Sequence, residues 1–410
     1  MKDPLREDAE YIVRSAIASS MPDAAVKKAL EKRTFPGRVF LVAAGKAAWN
    51  MARAAKETLG DRLSGGVAVT KYGHVSSPLP GIACHEGGHP VPDQRGVAGT
   101  EAALRLTENL GKDDTVLFLL SGGGSALFEK PLIPLEELAD ITAQLLASGC
   151  DITGINAVRK RLSAVKGGRF AARCAPAKVL TLAVSDVPAG RTDMIASGPT
   201  VPDTSTSAEA AEIVRRCGIR MSEKAMRLLC AETPRSLPGC EFEIIGSVKD
   251  LCAAAARAAR ERGYEPVPLT DCLSCEAKEA GAFLADILRS HAPDGKKTAW
   301  LAGGETVVHL SGRGLGGRNQ EMALSAAAGI RGLKNAAVIS VGSDGTDGPT
   351  DAAGGYADGN SYDALAEKGL SHERMMEDHD SYHALKEIGG LIITGPTGTN
   401  VNDISVGLLC

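Results

Sequence analysis

The sequence predicts an α/β protein whose central sheet is mostly parallel, and two observations point to that fold class. Apolar runs of four to seven residues recur along the 410 residues, and several of them show little polar alternation. Such runs are expected of strands that are covered on both faces. Stretches rich in alanine, leucine and arginine lie between many of them, with apolar residues at helical spacing. Strands and helices that alternate in this way form α/β layers.

The apolar runs give the predicted strands and, with one proline-rich segment, a predicted domain boundary. The strands cover residues 39–43, 67–70, 115–120, 178–184, 242–246, 298–303, 336–342 and 391–394. The clearest helix covers residues 251–263 and ends at a glycine. Residues 231–241 contain two prolines and a glycine and have no apolar period. We therefore predict one domain of residues 1–240 and a second of residues 241–410.

Composition excludes several classes of partner. The net charge is −4 and aromatic residues make up 4% of the chain, so neither a basic footprint nor stacking platforms for nucleic acid are present. The first residues carry charge rather than an apolar signal, and no run approaches 18 apolar residues, so no membrane association is expected. Ten scattered cysteines fit a cytoplasmic protein. A homo-oligomer is compatible with this composition.

Four predicted strands end in glycine and polar residues, where open α/β sheets bind ligands. The first runs into Gly45 and Lys46. A lysine before a helix opposes the helix dipole, so it is a poor structural choice and a good anion ligand. The strand at 115–120 runs into a loop of small residues whose amides can line a phosphate or carboxylate nest. This SGGGS loop consists of Ser121, Gly122, Gly123, Gly124 and Ser125.

The loops after the two later strands carry further candidates. Gly304 and Glu305 follow the strand at 298–303. The segment GRGLGGRNQE (312–321) is formally a GxGxxG pattern, but its two guanidiniums, on Arg313 and Arg318, favour an anion clamp over a dinucleotide turn. Asn319 of the same segment is a candidate binding residue.

Three aspartates are candidate ligands of Mg²⁺, which prefers oxygen donors. Asp344 and Asp347 lie in the loop GSDGTDGPTD, and turn or cap chemistry is the alternative for both. Asp186 follows the strand at 178–184 and is also a candidate base. Asn400 lies in the polar loop TGPTGTNVND, which suits substrate hydroxyls or a rigid turn equally.

A basic segment and one histidine are interpreted as residues that stabilise the fold. In RKRLSAVKGGR (159–169), Lys166 and Arg169 are interpreted as partners of a helix C-terminus. That interpretation is weaker for Arg159 and Lys160, which lie in mid-helix. His89, in a glycine-proline loop, is interpreted as a structural histidine.

These segments, taken in order, resemble the class II glycerate 2-kinase family, whose C-terminal part is called the MOFRL domain. They extend from about residue 40 to the end, and eight ordered motifs make the match specific. The matching segments are AAGKAA, GGHPVPD, LLSGGGSALFEKP, INAVRKRLSAVKGGR, SDVP with IASGPTVPD, GGETVVHLSGRGLGGRNQE, SVGSDGTDGPTDAAGG and TGPTGTNVND.

The resemblance implies a Rossmann-like N-terminal domain, a smaller C-terminal α/β domain with a mixed sheet, and an active site in the cleft between them. It also implies conversion of D-glycerate to 2-phosphoglycerate with ATP and Mg²⁺. In the family, the residues that match Lys46 and Arg318 are proposed active-site groups. On this basis Lys46 and Arg318 neutralise charge during in-line phosphoryl transfer, the SGGGS loop positions phosphates, and Asp186 takes the hydroxyl proton.

Two departures from the family pattern keep other functions open. Ala189, Gly190 and Arg191 stand where the family usually has Gly-Asp-Asp, and Arg161 stands where it often has histidine. If the acidic pair holds metal, Asp186, Asp193 or the 344–351 loop must replace it. A hydroxypyruvate reductase is one alternative, supported only by the GxGxxG pattern. A catalytically silent nucleotide or sugar-acid binding protein is the other.

Overall fold

The computed structural model describes residues 3–185 and 192–410. The chain divides into two compact units, each with its own sheet. Pro22–Ile245 form the parallel-sheet unit, and Met1–Met21 with Gly246–Cys410 form the mixed-sheet unit. The first helix, α1 (Pro4–Ser19), thus packs in the unit that contains the end of the chain, whereas the sequence placed residues 1–240 in one domain.

The parallel-sheet unit has six strands in the order β3-β2-β1-β4-β5-β6. The pairs from β3 to β5 are parallel, with helices as connections. The strands are β1 (Val39–Ala44), β2 (Leu63–Lys71), β3 (Ile82–Gly87), β4 (Thr115–Leu120), β5 (Lys178–Ser185) and β6 (Cys240–Ser247). The helices are α2 (Pro22–Glu31), α3 (Ala48–Leu59), α4 (Gln94–Leu106), α5 (Gly124–Leu127), α6 (Leu135–Ala147), α7 (Ile152–Arg161), α8 (Arg169–Cys174), α9 (Ser207–Arg216) and α10 (Glu223–Leu229).

The core of this unit fixes the loop that follows β4. Phe118 of β4 contacts Phe128 and Phe170, and the three ring centroids lie 5.1–5.2 Å apart. All three side chains are at most 1% exposed. Since Phe128 directly follows α5, this aromatic cluster holds the far end of the SGGGS loop against the sheet.

The mixed-sheet unit has six strands in the order β11-β10-β9-β12-β8-β7. The β7–β8 pair is parallel and the other pairs are antiparallel. The strands are β7 (Glu265–Leu273), β8 (Thr298–Gly304), β9 (Ala336–Gly342), β10 (Gly354–Asp358), β11 (Leu391–Ile392) and β12 (Asp403–Leu409). The further helices are α11 (Val248–Glu261), α12 (Ala277–His291), α13 (Arg318–Gly329), α14 (Ser361–Glu367), α15 (His372–Glu377) and α16 (Ser381–Glu387).

Helix α1 is joined to the mixed-sheet unit by both apolar and polar contacts. Ile12 and Val13 are at most 1% exposed. The carboxylate of Asp8 accepts hydrogen bonds from Nε of Arg262 (2.5 Å) and from the hydroxyl of Tyr264 (3.0 Å). The buried charge of Asp8 is therefore paired, as a buried carboxylate requires.

The predicted α/β class, with a parallel first sheet and a mixed second sheet, is confirmed. All eight predicted strand segments are strands at least in part, whereas β3, β7, β10 and β12 were not predicted. Strand β6, which starts at the predicted boundary, completes the parallel sheet. Within residues 3–185 and 192–410, no helix combines the length and the apolar run that crossing a bilayer requires.

Candidate active site

Lys46 is the second residue after β1, where the chain turns from the sheet towards α3. Its backbone N–H donates to the carbonyl of Gly122 (2.9 Å), and the N–H of Ala47 donates to Oγ of Ser121 (3.0 Å). These bonds join the end of β1 to the SGGGS loop, because β1 and β4 are neighbouring strands. Ala47, the residue before α3, makes no side-chain capping bond of its own. The N-terminus of α3, which attracts an anion, thus lies close to Lys46.

Gly45 is required by the close approach of these two loops. Its φ of +121° lies in the region that favours glycine. A Cβ atom at this position would lie 2.3 Å from Oγ of Ser121 and 2.4 Å from the Ser121 carbonyl oxygen. Gly45 therefore acts through packing, since it lets Lys46 reach the SGGGS loop.

The glycines of the SGGGS loop face two different neighbours. A Cβ atom on Gly123 would lie 2.9 Å from Cδ2 of His89 and 3.3 Å from Cγ of Lys46, so both side chains lie against this glycine. A Cβ atom on Gly124 would instead meet Cβ of Ala196 at 2.9 Å, which is a packing contact. His89, interpreted from sequence as structural, is therefore part of the same site as Lys46.

Ser125 ends the loop in a strained and hydrogen-bonded environment. Its Oγ lies 3.2 Å from Oγ of Ser197, which donates to Oδ1 of the buried Asn156 (2.9 Å). Ala196 and Ser197 have φ of +49° and +60°, left-handed values that cost energy in residues other than glycine. The IASGPT segment is thus held in a strained conformation against the SGGGS loop.

Lys166 is a fully buried cation that holds these two segments together. Its Nζ donates to the carbonyl of Ser125 (2.8 Å) and lies 3.4 Å from the carbonyl oxygens of Phe128 and Ala196. The carboxylate of Glu129, also fully buried, lies 3.6 Å away. Burial lowers the pKa of Lys166 to about 8, and Glu129 opposes that shift. The interpretation of Lys166 as a partner of the preceding helix is wrong, because its contacts are to other segments.

The other cations of the basic segment have structural partners. Nη1 of Arg169 donates to the carbonyls of Arg161 (3.0 Å) and Ser163 (2.6 Å), so its predicted place at the C-terminus of α7 is confirmed. Nζ of Lys160 donates to Oδ1 of Asp203 (3.0 Å), and the carboxylate of Asp193 lies 3.4 Å away. The charge of Lys160 is therefore paired with carboxylates, and Arg169 is held by backbone carbonyls.

Arg318 is the first residue of α13 and is held by a carboxylate of β12. Its Nε and Nη2 donate to the two oxygens of Asp403, at 2.5 and 3.0 Å, and Nη2 lies 3.3 Å from Oε1 of Glu305. Burial disfavours the charged guanidinium, but the neighbouring carboxylates outweigh it and raise the pKa of Arg318. One edge of the guanidinium is therefore occupied, and only the edge that carries Nη1 can be offered to a ligand.

Asp347 caps α13. It is 1% exposed, and its two oxygens accept hydrogen bonds from the backbone N–H groups of Asn319 (3.2 Å) and Gln320 (2.8 Å) and from both side-chain amides. Burial raises the pKa of Asp347 to about 6, although the two backbone amides oppose that shift. Cap chemistry accounts for Asp347, and the buried Asn319 supports this cap and accepts a hydrogen bond from Ser340 (2.6 Å).

Three further predicted residues lie near the ends of the strands. Oδ1 of Asp344 accepts hydrogen bonds from the N–H and the hydroxyl of Thr346, both at 3.0 Å, in a local turn. Gly304 has φ of +149°, and a Cβ atom there would lie 2.3 Å from the backbone of Leu273, so it is a packing glycine. Asn400 is half-buried in the loop after β11.

The glycines of the GxGxxG pattern contact the protein itself. A Cβ atom on Gly312 would lie 2.4 Å from the carbonyl oxygen of Asp378, and one on Gly314 would lie 2.5 Å from Cβ of Asp380. A Cβ atom on Gly317 would lie 2.3 Å from Cγ of Asp347. Close packing thus explains these glycines, and a dinucleotide turn is not needed to explain them.

A cavity of about 460 Å³ opens beside Arg318. Glu305 and Arg318 line it together with the apolar Leu310, which is 77% exposed. A buried pair lies at its wall, where Nδ1 of His379 is 2.8 Å from Oε2 of Glu321. The sequence analysis named neither residue as a candidate, although Glu321 ends the segment GRGLGGRNQE, and His379 lies in no pattern with a known chemical meaning.

In the comparison with known protein families, the N-terminal and the C-terminal part of the chain each match a family. Residues 8–230 match the domain of unknown function DUF4147, and residues 298–403 match the MOFRL family. The D-glycerate 2-kinase of Thermotoga maritima is 49% identical, with 100% of each chain covered. The chain belongs to the class II glycerate 2-kinase family. The glycerate 2-kinase of Pyrococcus horikoshii is 42% identical, over 91% of this chain and 88% of that protein.

A solved structure in this family has the same fold. The crystal structure of the Thermotoga maritima glycerate kinase gives a TM-score of 0.94 at 49% identity, with 99% of each chain covered. The arrangement of the two sheets within their units is therefore that of a glycerate 2-kinase. The family resemblance found in the sequence is confirmed.

The three predicted metal ligands of this glycerate 2-kinase family member, Asp186, Asp344 and Asp347, remain a prediction. Asp186 and the 189–191 segment lie outside the described residues. Within residues 3–185 and 192–410, no group of three or more histidine, cysteine, aspartate or glutamate side chains is placed to hold a metal ion. Mg²⁺ in kinases needs only one or two carboxylates beside the phosphates. Asp344 stays a predicted ligand, and Asp347 accepts four hydrogen bonds as the cap of α13.

Proposed function

We propose that this chain phosphorylates D-glycerate at its 2-hydroxyl, with ATP as the donor, and releases 2-phosphoglycerate. The observation that carries the proposal is the contact of Lys46 with the SGGGS loop in a chain that matches a D-glycerate 2-kinase over its full length. A lysine close to a helix N-terminus is suited to hold phosphate oxygens.

Lys46 and the SGGGS loop stabilise charge on the transferring phosphoryl group. In phosphoryl transfer the protein contributes mainly positioning and electrostatic stabilisation. The hydrogen bonds from Lys46 and Ala47 fix the loop before a ligand arrives. Lys166 fixes its far end through the carbonyl of Ser125. The loop is therefore preorganised at both ends.

Arg318 binds the second anion of the reaction, the carboxylate of glycerate. Asp403 fixes the plane of its guanidinium, and Glu305 lies beside it. The free edge of Arg318 lines the cavity of about 460 Å³, which has room for a small hydroxy acid. Two fixed N–H groups orient a carboxylate better than a mobile ammonium does.

Mg²⁺ is expected to be held by the phosphates of ATP and by Asp344, and it would neutralise charge on those phosphates. Asp186 remains our proposed base for the 2-hydroxyl. We also place the protein in the cytoplasm, since all ten cysteines are free thiols and such thiols persist in a reducing compartment.

The test is a product analysis with the purified chain. ATP, Mg²⁺ and D-glycerate should give ADP and 2-phosphoglycerate in a ³¹P NMR spectrum, and omission of glycerate is the control. Exclusive formation of the 3-phosphate would overturn the choice of hydroxyl. Absence of ADP with every hydroxy acid, or consumption of NADH with hydroxypyruvate, would overturn the kinase assignment.

A further inference from the structure

A second cavity, of about 600 Å³, lies in the parallel-sheet unit between α7 and α9. Small side chains on α7 leave this space open, since Gly154 and Ala157 form part of its wall. Ile213 of α9 and the thioether of Met194 give it an apolar lining. A volume of this size with apolar walls and a few polar groups is typical of a small-molecule site.

The polar groups of this cavity select against a phosphate. The carboxylates outnumber the cations, and Lys160 is compensated by the carboxylates of Asp193 and Asp203, at 3.4 and 3.0 Å. Carboxylates repel a triphosphate and accept hydrogen bonds from hydroxyl and amino groups. The lining carboxylates are those of Asp151, Asp193, Glu209 and Glu212, and the cations are Lys160 and Arg216.

The cavity is connected to the SGGGS loop by a series of polar contacts. Sδ of Met194, in the cavity wall, accepts from the side-chain amide of Asn156 (3.8 Å). Oδ1 of Asn156 accepts from Ser197 (2.9 Å), whose Oγ lies 3.2 Å from that of Ser125. A ligand in the cavity is thus within a few side chains of the loop. At that end of the loop the carbonyl of Ser125 accepts hydrogen bonds from Arg159 and Lys166, and Glu129 lies 3.7 and 3.6 Å from these two cations.

We propose that this cavity binds the adenosine moiety of ATP, while the triphosphate extends to the SGGGS loop. The neutral, apolar base contacts Ile213 and Met194, and the ribose hydroxyls and the amino group donate to the carboxylates. The change from a carboxylate-lined cavity to a glycine-rich loop beside Lys46 matches the change from nucleoside to phosphate along ATP. The inference rests on the proposed kinase function and names the donor subsite.

The first test blocks the cavity from α9. Ala208 lines it and Ala211 does not, and both are exposed residues of the same helix. Ala208→Trp should raise the KM for ATP at least about 10-fold with the KM for D-glycerate unchanged, because the indole occupies the space of the base. Ala211→Trp, the matched control, should leave both values unchanged.

A second pair blocks the cavity from the opposite wall. Thr153 of α7 lines it, and the neighbouring Ile152, which is 61% exposed, does not. Thr153→Trp should weaken ATP–Mg²⁺ binding in calorimetry at least about 10-fold, and Ile152→Trp should not. Adenosine without phosphate should compete with ATP in the wild type, and this competition should weaken in Ala208→Trp.

The outcomes separate this inference from the proposed function. If both blocking variants bind ATP and turn over like their controls, the adenosine site lies elsewhere and the inference is overturned, while the kinase stands. If the wild type forms no ADP, calorimetry with ATP–Mg²⁺ and the same four variants still tests the cavity. Equal use of pyrophosphate and ATP as donors would also overturn the inference.

Discussion

The guanidinium of Arg318 and the carboxylate of Asp403 form two parallel hydrogen bonds, Nε–Oδ2 at 2.5 Å and Nη2–Oδ1 at 3.0 Å. Asp403 is 5% exposed and begins β12, between β8 and β9. A paired carboxylate in this position fixes the plane of the guanidinium before substrate arrives. Arg318 therefore offers its remaining edge in one orientation.

The first prediction follows from this geometry. Arg318→Lys keeps the positive charge but cannot form two parallel bonds and still reach a ligand, so kcat/KM for D-glycerate should fall roughly 100-fold. Arg331→Lys is the matched control, because Arg331 is an exposed arginine after α13, outside the predicted anion clamp. The measurement is kcat/KM for D-glycerate in both variants. Similar values in the two variants would show that Arg318 does not bind the substrate.

The second prediction concerns Lys46. Lys46→Ala should lower kcat/KM by about 100-fold or more, because a stabilising charge beside the transferring group is lost. The melting temperature should hardly change, since a half-buried lysine adds little stability. Lys112→Ala, at an exposed lysine before β4, is the control. Near-normal turnover of Lys46→Ala would make Lys46 an ordinary surface residue.

The third prediction concerns Gly45. Gly45→Ala places a Cβ atom 2.3 Å from Oγ of Ser121 at a φ of +121°, so the free energy of unfolding should fall by about 3 kcal/mol. Activity should fall as well, because the loop that carries Lys46 must shift. Gly60 also has a positive φ but has no neighbour within 4 Å, so Gly60→Ala should cost only about 1 kcal/mol. Denaturant unfolding of both variants measures the difference.

The fourth prediction uses the raised pKa of Asp347, about 6 in the folded protein. A carboxyl whose folded pKa exceeds its unfolded value stabilises the fold most at low pH, and that contribution is lost as pH rises through the folded pKa. Asp347→Asn should be less stable than the wild type at every pH, because an amide cannot accept all four hydrogen bonds. The stability difference should shrink by about 2 kcal/mol between pH 4 and pH 6. A stability difference that does not depend on pH would contradict the raised pKa of Asp347.

Much of the fold was predictable because buried strands are continuous apolar runs. The runs that became β1, β4, β5, β8 and β9 were all identified. Strand β7 was missed because it is an edge strand with Pro266 and Pro268, residues that usually argue against a strand. Strand β12 was missed because its first residue, Asp403, ends a segment that was taken as a polar loop.

The sequence predicted those parts of the candidate site in which a short pattern within one loop contains the binding residues. Lys46 and the SGGGS loop are short patterns at strand ends, and the structure brings them into contact. Asp403 lies 85 residues from Arg318, and Lys166 reaches back 41 residues to Ser125. Such pairs depend on sheet order and on the path of the chain, which local patterns do not encode.

The placement of α1 has a consequence for the order of synthesis. Domains that emerge from the ribosome tend to fold as units, the earlier ones first. Residues 22–245 are contiguous and are complete before Gly246 is made, but α1 is translated before them and its partners, Arg262 and Tyr264, come after. The apolar face of α1, with Ile12 and Val13, must therefore stay unpaired during most of translation. A chaperone that shields a nascent amphipathic helix would have its longest opportunity here, and a fragment of residues 246–410 made alone would expose the surface that α1 covers.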